Sequence, residues 1–240
     1  GYIGGRQAVP IIIEGLRRLE YRGYDSAGTV VIADGELHSR RSVGKIASLE
    51  EAIGPAGLPG TVGIGHTRWA THGRPSEENA HPHRSGPFVV VHNGIIENYL
   101  SLRKKMEAAG HTFASETDTE VIAVLLNQHY TGDLRAGVRS TLAALKGSYA
   151  LGILCLEEPD LIVAAREGSP LIIGRGEGEQ FLASDVPAIV NQTRQVVYLD
   201  NGEIAFVGRD QVRVFTTAGR ARRKTVENIP WDPVSVERRG

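Results

Sequence analysis

The second half of the chain is a succession of short apolar segments, each followed by a turn sequence. Glu158-Pro159-Asp160, Asp200-Asn201-Gly202 and Thr217-Ala218-Gly219 are three of these turns. Strands separated by so few residues pair as hairpins, and hairpins make a sheet antiparallel. We predict strands at residues 148–156, 161–165, 171–174, 180–183, 195–199, 204–207 and 212–215.

The first half alternates helical and extended patterns. Apolar residues recur at helical spacing between Val9 and Leu19, which predicts a helix. The pair Asp34-Gly35 predicts a hairpin, and the glycines and prolines of residues 70–87 predict a loop. Further strands are predicted at 29–33, 36–40, 62–64 and 88–91, and further helices at 99–109, 118–130 and 134–146.

Two sets of strands with helices to cover them predict an α+β domain built in layers. Several strands are apolar throughout, which is typical of sheets that are covered on both faces. The last residues are rich in proline and charge, as linkers are. We therefore predict one domain at residues 1–225 and a linker at residues 226–240.

Charge and cysteine content exclude several classes of protein. The 27 Lys and Arg residues are balanced by 28 Asp and Glu residues, which argues against binding nucleic acid through bulk basic charge. No apolar run approaches the roughly 18 residues of a membrane span, so no membrane partner is expected. Cys155 is the only cysteine, which excludes a disulfide framework and favours a reducing, cytoplasmic location. It lies in an apolar strand without a neighbouring base, so we expect it to be buried and inert.

Five of the eight histidines lie between residues 66 and 92, which raises the question of a metal site. They are His66, His72, His81, His83 and His92. Their spacing fits no common metal-binding motif, and no run of carboxylates lies nearby. We expect these side chains to hold a long loop in shape by hydrogen bonds, and we predict no metal.

Three polar residues could each serve a site or only the fold. Asn93-Gly94 follows a buried strand, so a hairpin turn is the simpler interpretation and an oxyanion hole the functional one. Arg68 and Asp118 could clamp the carboxylate and ammonium of an amino acid. Taken separately, Arg68 is expected at the surface and Asp118 in a first helical turn, where the helix dipole favours an acidic residue.

Four segments, taken in order, carry a more specific signal. They are Tyr-Arg-Gly-Tyr-Asp-Ser-Ala-Gly at 21–28, His-Thr-Arg-Trp-Ala-Thr-His-Gly at 66–73, Val-His-Asn-Gly-Ile-Ile-Glu-Asn at 91–98 and Ser-Glu-Thr-Asp-Thr-Glu at 115–120. With them the chain resembles, over nearly its whole length, the glutaminase domains of the glutamine–fructose-6-phosphate amidotransferase family. These are class II glutamine amidotransferases of the N-terminal-nucleophile hydrolase superfamily. The first segment differs from its counterparts in amidophosphoribosyltransferases and asparagine synthetases.

The resemblance implies a fold and a reaction. The fold is a four-layer αββα sandwich of two antiparallel sheets. The reaction is hydrolysis of glutamine through a thioester, giving glutamate and ammonia without a cofactor. Ammonia then reaches a sugar isomerase domain of the same polypeptide, which uses it to convert fructose 6-phosphate to glucosamine 6-phosphate in amino-sugar biosynthesis. A homodimer through that domain is also implied.

The resemblance also assigns roles to individual residues. Arg68 binds the α-carboxylate of glutamine and Asp118 its α-ammonium, and Thr71 and His72 help to hold the ligand. The side chain of Asn93 and the backbone N–H of Gly94 form the oxyanion hole. Two further residues flank the site: Trp69 gates the exit of ammonia, and Arg22 orders the surrounding segment.

The nucleophile of the family is an N-terminal cysteine, in a start that resembles Cys-Gly-Ile-Val-Gly-Tyr-Ile-Gly. The printed sequence opens at Gly1-Tyr2-Ile3-Gly4, so the expectation is that four leading residues, including the cysteine, are missing from it. The chemistry needs the thiol and its α-amine, whose pKa near 8 suits it to accept a proton. The alternatives are a non-catalytic module that binds glutamine or glutamate, and another class II amidotransferase.

Overall fold

The computed structural model describes residues 1–70 and 73–230, which form two antiparallel sheets and five α-helices. In chain order the strands are β1 (Tyr2–Ile3), β2 (Ser26–Ala33), β3 (Glu36–Val43), β4 (Val62–Arg68), β5 (His83–Ser85), β6 (Phe88–Ile96), β7 (Gly147–Cys155), β8 (Ile162–Glu167), β9 (Ile172–Gly176), β10 (Glu179–Ala183), β11 (Gln195–Tyr198), β12 (Glu203–Val207), β13 (Val212–Thr216), β14 (Ala221–Arg222) and β15 (Glu227–Asn228). The helices are α1 (Ala8–Arg17), α2 (Ile46–Ile53), α3 (Tyr99–Ala108), α4 (Asp118–His129) and α5 (Leu134–Ala144).

The two sheets have unrelated strand orders. The first runs β15-β11-β9-β10-β1-β4-β2-β3, and the second runs β14-β13-β12-β8-β7-β6-β5. The short β1 lies in the middle of the first sheet, with Tyr2 paired to Gly63 on one side and to Phe181 on the other. The start of the chain is therefore held between two longer strands rather than at a sheet edge.

The apolar side chains separate into layers. Between the sheets, Ile3, Ile64 and Leu182 of the first pack with Val91 and Leu154 of the second. Helices α1 and α2 cover the outer face of the first sheet, and α4 and α5 cover that of the second, with α3 packed on α4. Each sheet is thus buried on both faces, which confirms the predicted α+β class and the four-layer αββα sandwich.

Most predicted elements are found within two residues of their bounds, including all seven strands of the second half and the last three helices. The Asp34-Gly35 hairpin is also confirmed, with φ angles of 51° and 74° that a type I′ turn requires. One helix, α2, and four short strands, β1, β5, β14 and β15, were not predicted. Helix α2 was unassigned, and the short β5 lies inside the predicted loop, where pairing with β6 keeps it extended.

Three other expectations concern a membrane span, the single cysteine and the domain boundary. Among the described residues, no helix is long and apolar enough to cross a membrane. Cys155 is buried, 2% exposed, and burial raises the pKa of its thiol, as expected for an inert cysteine. The predicted linker begins with β15, which pairs with β11, while its residues 231–240 lie outside the described ranges. The boundary between domain and linker remains a prediction.

Candidate active site

A cavity of about 310 Å³ opens where β4 and β6 end, bordered by α1 and the first turn of α4. Its wall includes the charged residues Arg68 and Asp118 and the Asn93-Gly94 pair. Gly1, at the start of the chain, lies in the same wall. Residues far apart along the sequence therefore meet around one space, and the following paragraphs describe how each is held.

Arg68 is the last residue of β4 and is only 4% exposed, so the expectation of a surface arginine is wrong. Its Nη2 donates to the backbone oxygen of Gly73 at 3.0 Å, and its Nη1 lies 3.8 Å from Oδ1 of Asp25. Burial lowers the pKa of this guanidinium, while the charges of Asp25, Asp118 and Glu116 oppose that shift. The result is a fixed, buried cation in the cavity wall.

Asp118 begins α4, so the expectation of an acidic residue in a first helical turn is confirmed. It is 5% exposed, and its Oδ2 accepts a hydrogen bond from the backbone N–H of Ile96 at 2.8 Å. That bond ties the helix start to β6 and fixes the carboxylate at the cavity. One side chain therefore joins the helix start to β6 and lines the cavity.

Asn93 and Gly94 lie inside β6, opposite Ala150 and Tyr149 of β7, so the expectation of a hairpin turn is wrong. The long ladder between β6 and β7 overrides the local turn preference of the pair. Gly94 has a φ of 141°, and a Cβ there would overlap the backbone oxygen of Ser148. Only glycine fits this position, and its neighbour Asn93 remains exposed at the cavity.

Two residues at the rim were also predicted. Trp69 is 67% exposed, and its ring lies so close to Gly23 that a Cβ on that glycine would overlap it. Arg22 donates from Nη1 to Oγ of Ser184 at 2.9 Å and from Nη2 to Oδ2 of Asp185 at 2.6 Å. Arg22 thus joins the chain before β2 to the end of β10 at the cavity.

The structure brings together six of the eight predicted site residues. They are Arg22, Arg68, Trp69, Asn93, Gly94 and Asp118. The other two, Thr71 and His72, lie outside the described residues.

The histidine-rich segment packs as a cluster beside the cavity. The ring of His81 stacks on His66 at 4.3 Å between centroids and meets His83 edge-on at 4.9 Å. Thr117 Oγ1 lies 3.1 Å from Nε2 of His83, which ties this segment to the cap of α4. Burial, above all, lowers the pKa of both His66 and His83 to about 3, so both are neutral near pH 7. These contacts support the predicted loop-shaping role.

Within residues 1–70 and 73–230, no three His, Cys, Asp or Glu side chains are grouped so that they could hold a metal ion. His72 lies outside those residues.

Three residues of the site were not singled out from the sequence. Asp25 accepts a hydrogen bond from the backbone N–H of Ala70 and faces Arg68. Thr119 lines the cavity, and Gly28 lets the backbone of His81 approach β2. All three lie within segments that carried the resemblance, so the signal was present, but spacing alone attached no role to them.

One family profile matches the chain. The family is described as "Glutamine amidotransferase domain", and the match covers residues 66–191. That interval contains Arg68, Asn93, Gly94 and Asp118, and it is more than half of the sequence.

Curated relatives match the whole chain. The glutamine–fructose-6-phosphate aminotransferase (isomerizing) of Caldanaerobacter subterraneus subsp. tengcongensis is 51% identical over 100% of this chain and 40% of its own length. The enzyme of the same name from Aquifex aeolicus is 50% identical, over 100% of this chain and 41% of its own length. The chain thus spans about 40% of the length of these relatives.

Solved structures share the fold. The glutamine phosphoribosylpyrophosphate (PRPP) amidotransferase from B. subtilis has a TM-score of 0.78 and 28% identity, over 92% of this chain and 49% of that one. A glutamine aminotransferase class-II domain protein from Silicibacter pomeroyi has a TM-score of 0.58, over 80% of this chain and 91% of that one. Its identity is 16%, so that likeness concerns the fold alone.

Proposed function

This chain belongs to the glutamine amidotransferase domain family, and from that premise we propose that it releases ammonia from glutamine for an amino-sugar synthase. The observation that carries the proposal is the meeting of Arg68, Asp118 and Asn93-Gly94 around one cavity. A free amino acid with a side-chain amide presents a carboxylate, an ammonium and a carbonyl oxygen. The cavity offers a cation for the carboxylate, an anion for the ammonium and N–H donors for the carbonyl oxygen.

The acceptor of the ammonia is proposed from the relatives. Enzymes named for glutamine and fructose 6-phosphate are about 50% identical across the whole chain. The PRPP amidotransferase is only 28% identical, although its fold is similar. We therefore favour fructose 6-phosphate as acceptor, with glucosamine 6-phosphate as product. The sugar isomerase domain and the dimer contact belong, on this proposal, to the part of the longer protein outside this sequence.

Binding of glutamine rests on charge. The guanidinium of Arg68 pairs with the α-carboxylate, and the carboxylate of Asp118 with the α-ammonium. Both groups are nearly buried, so their attraction for the ligand is screened less than it would be at the surface. Thr71 and His72 are proposed to help, as the resemblance implies.

Stabilisation of the reacting carbonyl rests on two N–H donors. The side-chain amide of Asn93 and the backbone N–H of Gly94 lie on one strand at the cavity. A tetrahedral intermediate carries its negative charge on the former amide oxygen, where preorganised donors lower the barrier most. Trp69 is proposed to gate the exit of ammonia, and Arg22 to order the rim.

The nucleophile follows from the resemblance, which puts Cys-Gly-Ile-Val before Gly1. Gly1 exchanges backbone hydrogen bonds with Leu182, so the β1 ladder continues through it. If four residues before Gly1 kept the register of Tyr2 with Gly63, the first of them would lie opposite Arg68. A cysteine there would enter the cavity beside the substrate groups.

The proposed reaction has two steps. The thiolate attacks the side-chain amide carbon, the C–N bond breaks, and ammonia leaves with a proton supplied through the α-amine of the cysteine. Water then attacks the thioester, releasing glutamate and restoring the thiol.

The test compares two polypeptides in which Cys-Gly-Ile-Val or Ser-Gly-Ile-Val precedes Gly1. The first should release glutamate and ammonia in equal amounts from glutamine, and the second should bind glutamine without releasing ammonia. Heat of binding from both, with ammonia from neither, would instead establish a non-catalytic binding module. Activity of the serine version equal to that of the cysteine version would contradict the assigned nucleophile.

A further inference from the structure

The hydroxyl of Thr119 joins two histidines from different segments at the back of the cavity. Thr119 is the second residue of α4 and is 1% exposed. Its Oγ1 lies 2.9 Å from Nε2 of His81 and 3.1 Å from Nδ1 of His92. One side chain thus connects the segment before β5, the strand β6 and the start of the helix that carries Asp118.

The direction of these hydrogen bonds follows from the other nitrogen of His92. Its Nε2 lies 3.3 Å from the backbone oxygen of Ser148, and a carbonyl oxygen can only accept, so Nε2 carries the hydrogen. In a neutral imidazole the second nitrogen then accepts, and the Thr119 hydroxyl donates to Nδ1. Oδ2 of Asp118 is 3.8 Å from this Nδ1, beyond hydrogen-bond distance.

The same reasoning assigns the tautomer of His81. The Thr119 hydroxyl has two acceptors within reach, Nδ1 of His92 at 3.1 Å and Oδ1 of Asp118 at 3.5 Å, and its single hydrogen goes to the nearer. Oγ1 therefore accepts from Nε2–H of His81. Nδ1 of His81 is buried and has no partner among the residues that the structure describes, which suits a lone pair better than an N–H. Burial, with the neighbouring charges adding to it, lowers the pKa of His81 well below its usual range, consistent with a neutral ring.

This directed chain of hydrogen bonds runs behind the proposed oxyanion hole. His92 immediately precedes Asn93, and its Nε2 would lie 3.0 Å from a Cβ on Gly94. The carboxylate of Asp118 has a separate anchor in the N–H of Ile96. Loss of the Thr119 hydroxyl would therefore remove the hydrogen bond that orients the His92 ring and a 3.5 Å contact with Oδ1 of Asp118, while the bond from Ile96 to Oδ2 of Asp118 stays in place.

We propose that Thr119 is a positioning residue, whose hydroxyl holds His92 as its Nε2–H tautomer and thereby fixes Asn93 and Gly94 where the oxyanion forms. The inference rests on the proposed glutaminase function. It assigns Thr119 an effect on turnover, because the donors that it aligns are needed most when the carbonyl oxygen becomes negative.

The kinetic test uses the polypeptide with Cys-Gly-Ile-Val before Gly1. Thr119→Val keeps the shape of the side chain but removes the hydroxyl. It should lower kcat by about 10-fold to 100-fold, the cost of a small misalignment, with KM for glutamine changed less than about threefold. Thr119→Ser keeps the hydroxyl and should restore most of the lost kcat. An unchanged kcat in Thr119→Val would overturn the proposal.

A matched control removes a similar hydrogen bond elsewhere. Thr141 is fully buried in α5, and its Oγ1 lies 3.1 Å from Nδ1 of His129, away from the cavity. Thr141→Val should lower thermal stability without lowering kcat. If both valine variants lose the same fraction of kcat, Thr119 contributes only to stability and the proposal fails.

Nitrogen-15 spectra of the histidine rings provide a test that needs no turnover. In the chain as printed, His92 and His81 should both show the Nε2–H tautomer near pH 7, and Thr119→Val should shift the Nδ1 resonance of His92. A protonated Nδ1 on wild-type His92 would overturn the positioning role of Thr119 and leave the proposed function standing. Absence of ammonia from the wild-type cysteine polypeptide would instead overturn the proposed function, and with it the positioning role.

Discussion

The backbone of His81 approaches β2 at Gly28 so closely that a Cβ on residue 28 would lie less than 3.0 Å from the His81 carbonyl oxygen. This approach brings the ring of His81 under the cavity, where it reaches Thr119 and stacks on His66. A glycine in one segment thus allows a side chain from another to support the site. The packing of the histidine cluster depends on that contact.

Gly28→Ala should therefore be strongly destabilising. The added methyl group meets backbone rather than a movable side chain, so we expect a loss of about 3 kcal/mol or more in the free energy of unfolding. Urea denaturation measures this loss. Gly5→Ala is the control, because its Cβ would meet only the end of the Arg209 side chain, and it should change the free energy little. Equal losses in both variants would contradict the close approach.

Asn93→Ala should lower turnover rather than binding. Removal of one oxyanion donor costs about 10²-fold to 10³-fold in kcat, whereas KM for glutamine should change little. Initial rates of ammonia release from the cysteine-containing polypeptide measure both constants. Asn201→Ala removes an amide oxygen that accepts from the backbone N–H of Gly168, and it should retain full activity. Full activity in Asn93→Ala would show that the oxyanion assignment is wrong.

Asp118→Asn should weaken recognition of the α-ammonium group without disturbing the helix start. The amide oxygen of the new asparagine can still accept from the backbone N–H of Ile96, but the negative charge of the carboxylate is lost. Hydrogen bonds to charged groups contribute about 1.5–3 kcal/mol, so KM for glutamine should rise by about 10-fold to 150-fold. The KM for 4-carbamoylbutanoate, which lacks the ammonium, should stay nearly constant.

The control for this substitution is Asp133→Asn. Asp133 caps α5 by accepting from Ala136 at 3.0 Å and is remote from the cavity. It should leave both KM values unchanged. An equal rise in KM for glutamine and for 4-carbamoylbutanoate in Asp118→Asn would mean that this carboxylate does not bind the ammonium.

Stability should fall as the pH drops below about 6.5. Burial, followed by the charges of Arg41, Arg68 and His66, lowers the pKa of His83 in the folded protein to about 3. Between pH 6.5 and 3, the unfolded chain binds a proton at this histidine and the folded protein does not. The free energy of unfolding therefore decreases with falling pH, by about 2 kcal/mol at pH 5 for this one residue.

Urea denaturation of the wild type and of His83→Gln at pH 7, 6 and 5 measures this dependence. The variant lacks the titrating ring, so its stability should fall less steeply with pH. His111→Gln removes a partly exposed histidine and should keep the wild-type slope. If the slope of His83→Gln matches that of the wild type, His83 does not carry the buried, neutral ring described above.

Much of the fold was predictable because its signals are local. Turn sequences separate the strands of the second half, and apolar periodicity marks the helices. Helix α2 had such a signal, with Ile46, Leu49 and Ile53 at helical spacing, but over only two turns. Strand β5 had none, because its three residues are extended only through pairing with β6.

The site was less predictable from the residues alone. Asn93-Gly94 has the local chemistry of a turn. Only its pairing with β7, in which Asn93 lies opposite Ala150 far along the chain, makes it part of a strand. Arg68 is buried by contacts with Asp25 and Gly73, which no spacing rule foresees. The resemblance supplied the roles, because the convergence of distant residues on one cavity is a property of the folded chain.

The most direct measurement is a crystal structure of the cysteine-containing polypeptide with glutamate bound. The account predicts the α-carboxylate on the guanidinium of Arg68, the α-ammonium on Asp118, and one side-chain carboxylate oxygen within hydrogen-bond distance of Asn93 Nδ2 and the N–H of Gly94. The cysteine sulfur should lie beside the side-chain carboxyl carbon. Glutamate in a different cavity, or bound here with its side chain directed away from Asn93, would contradict the account.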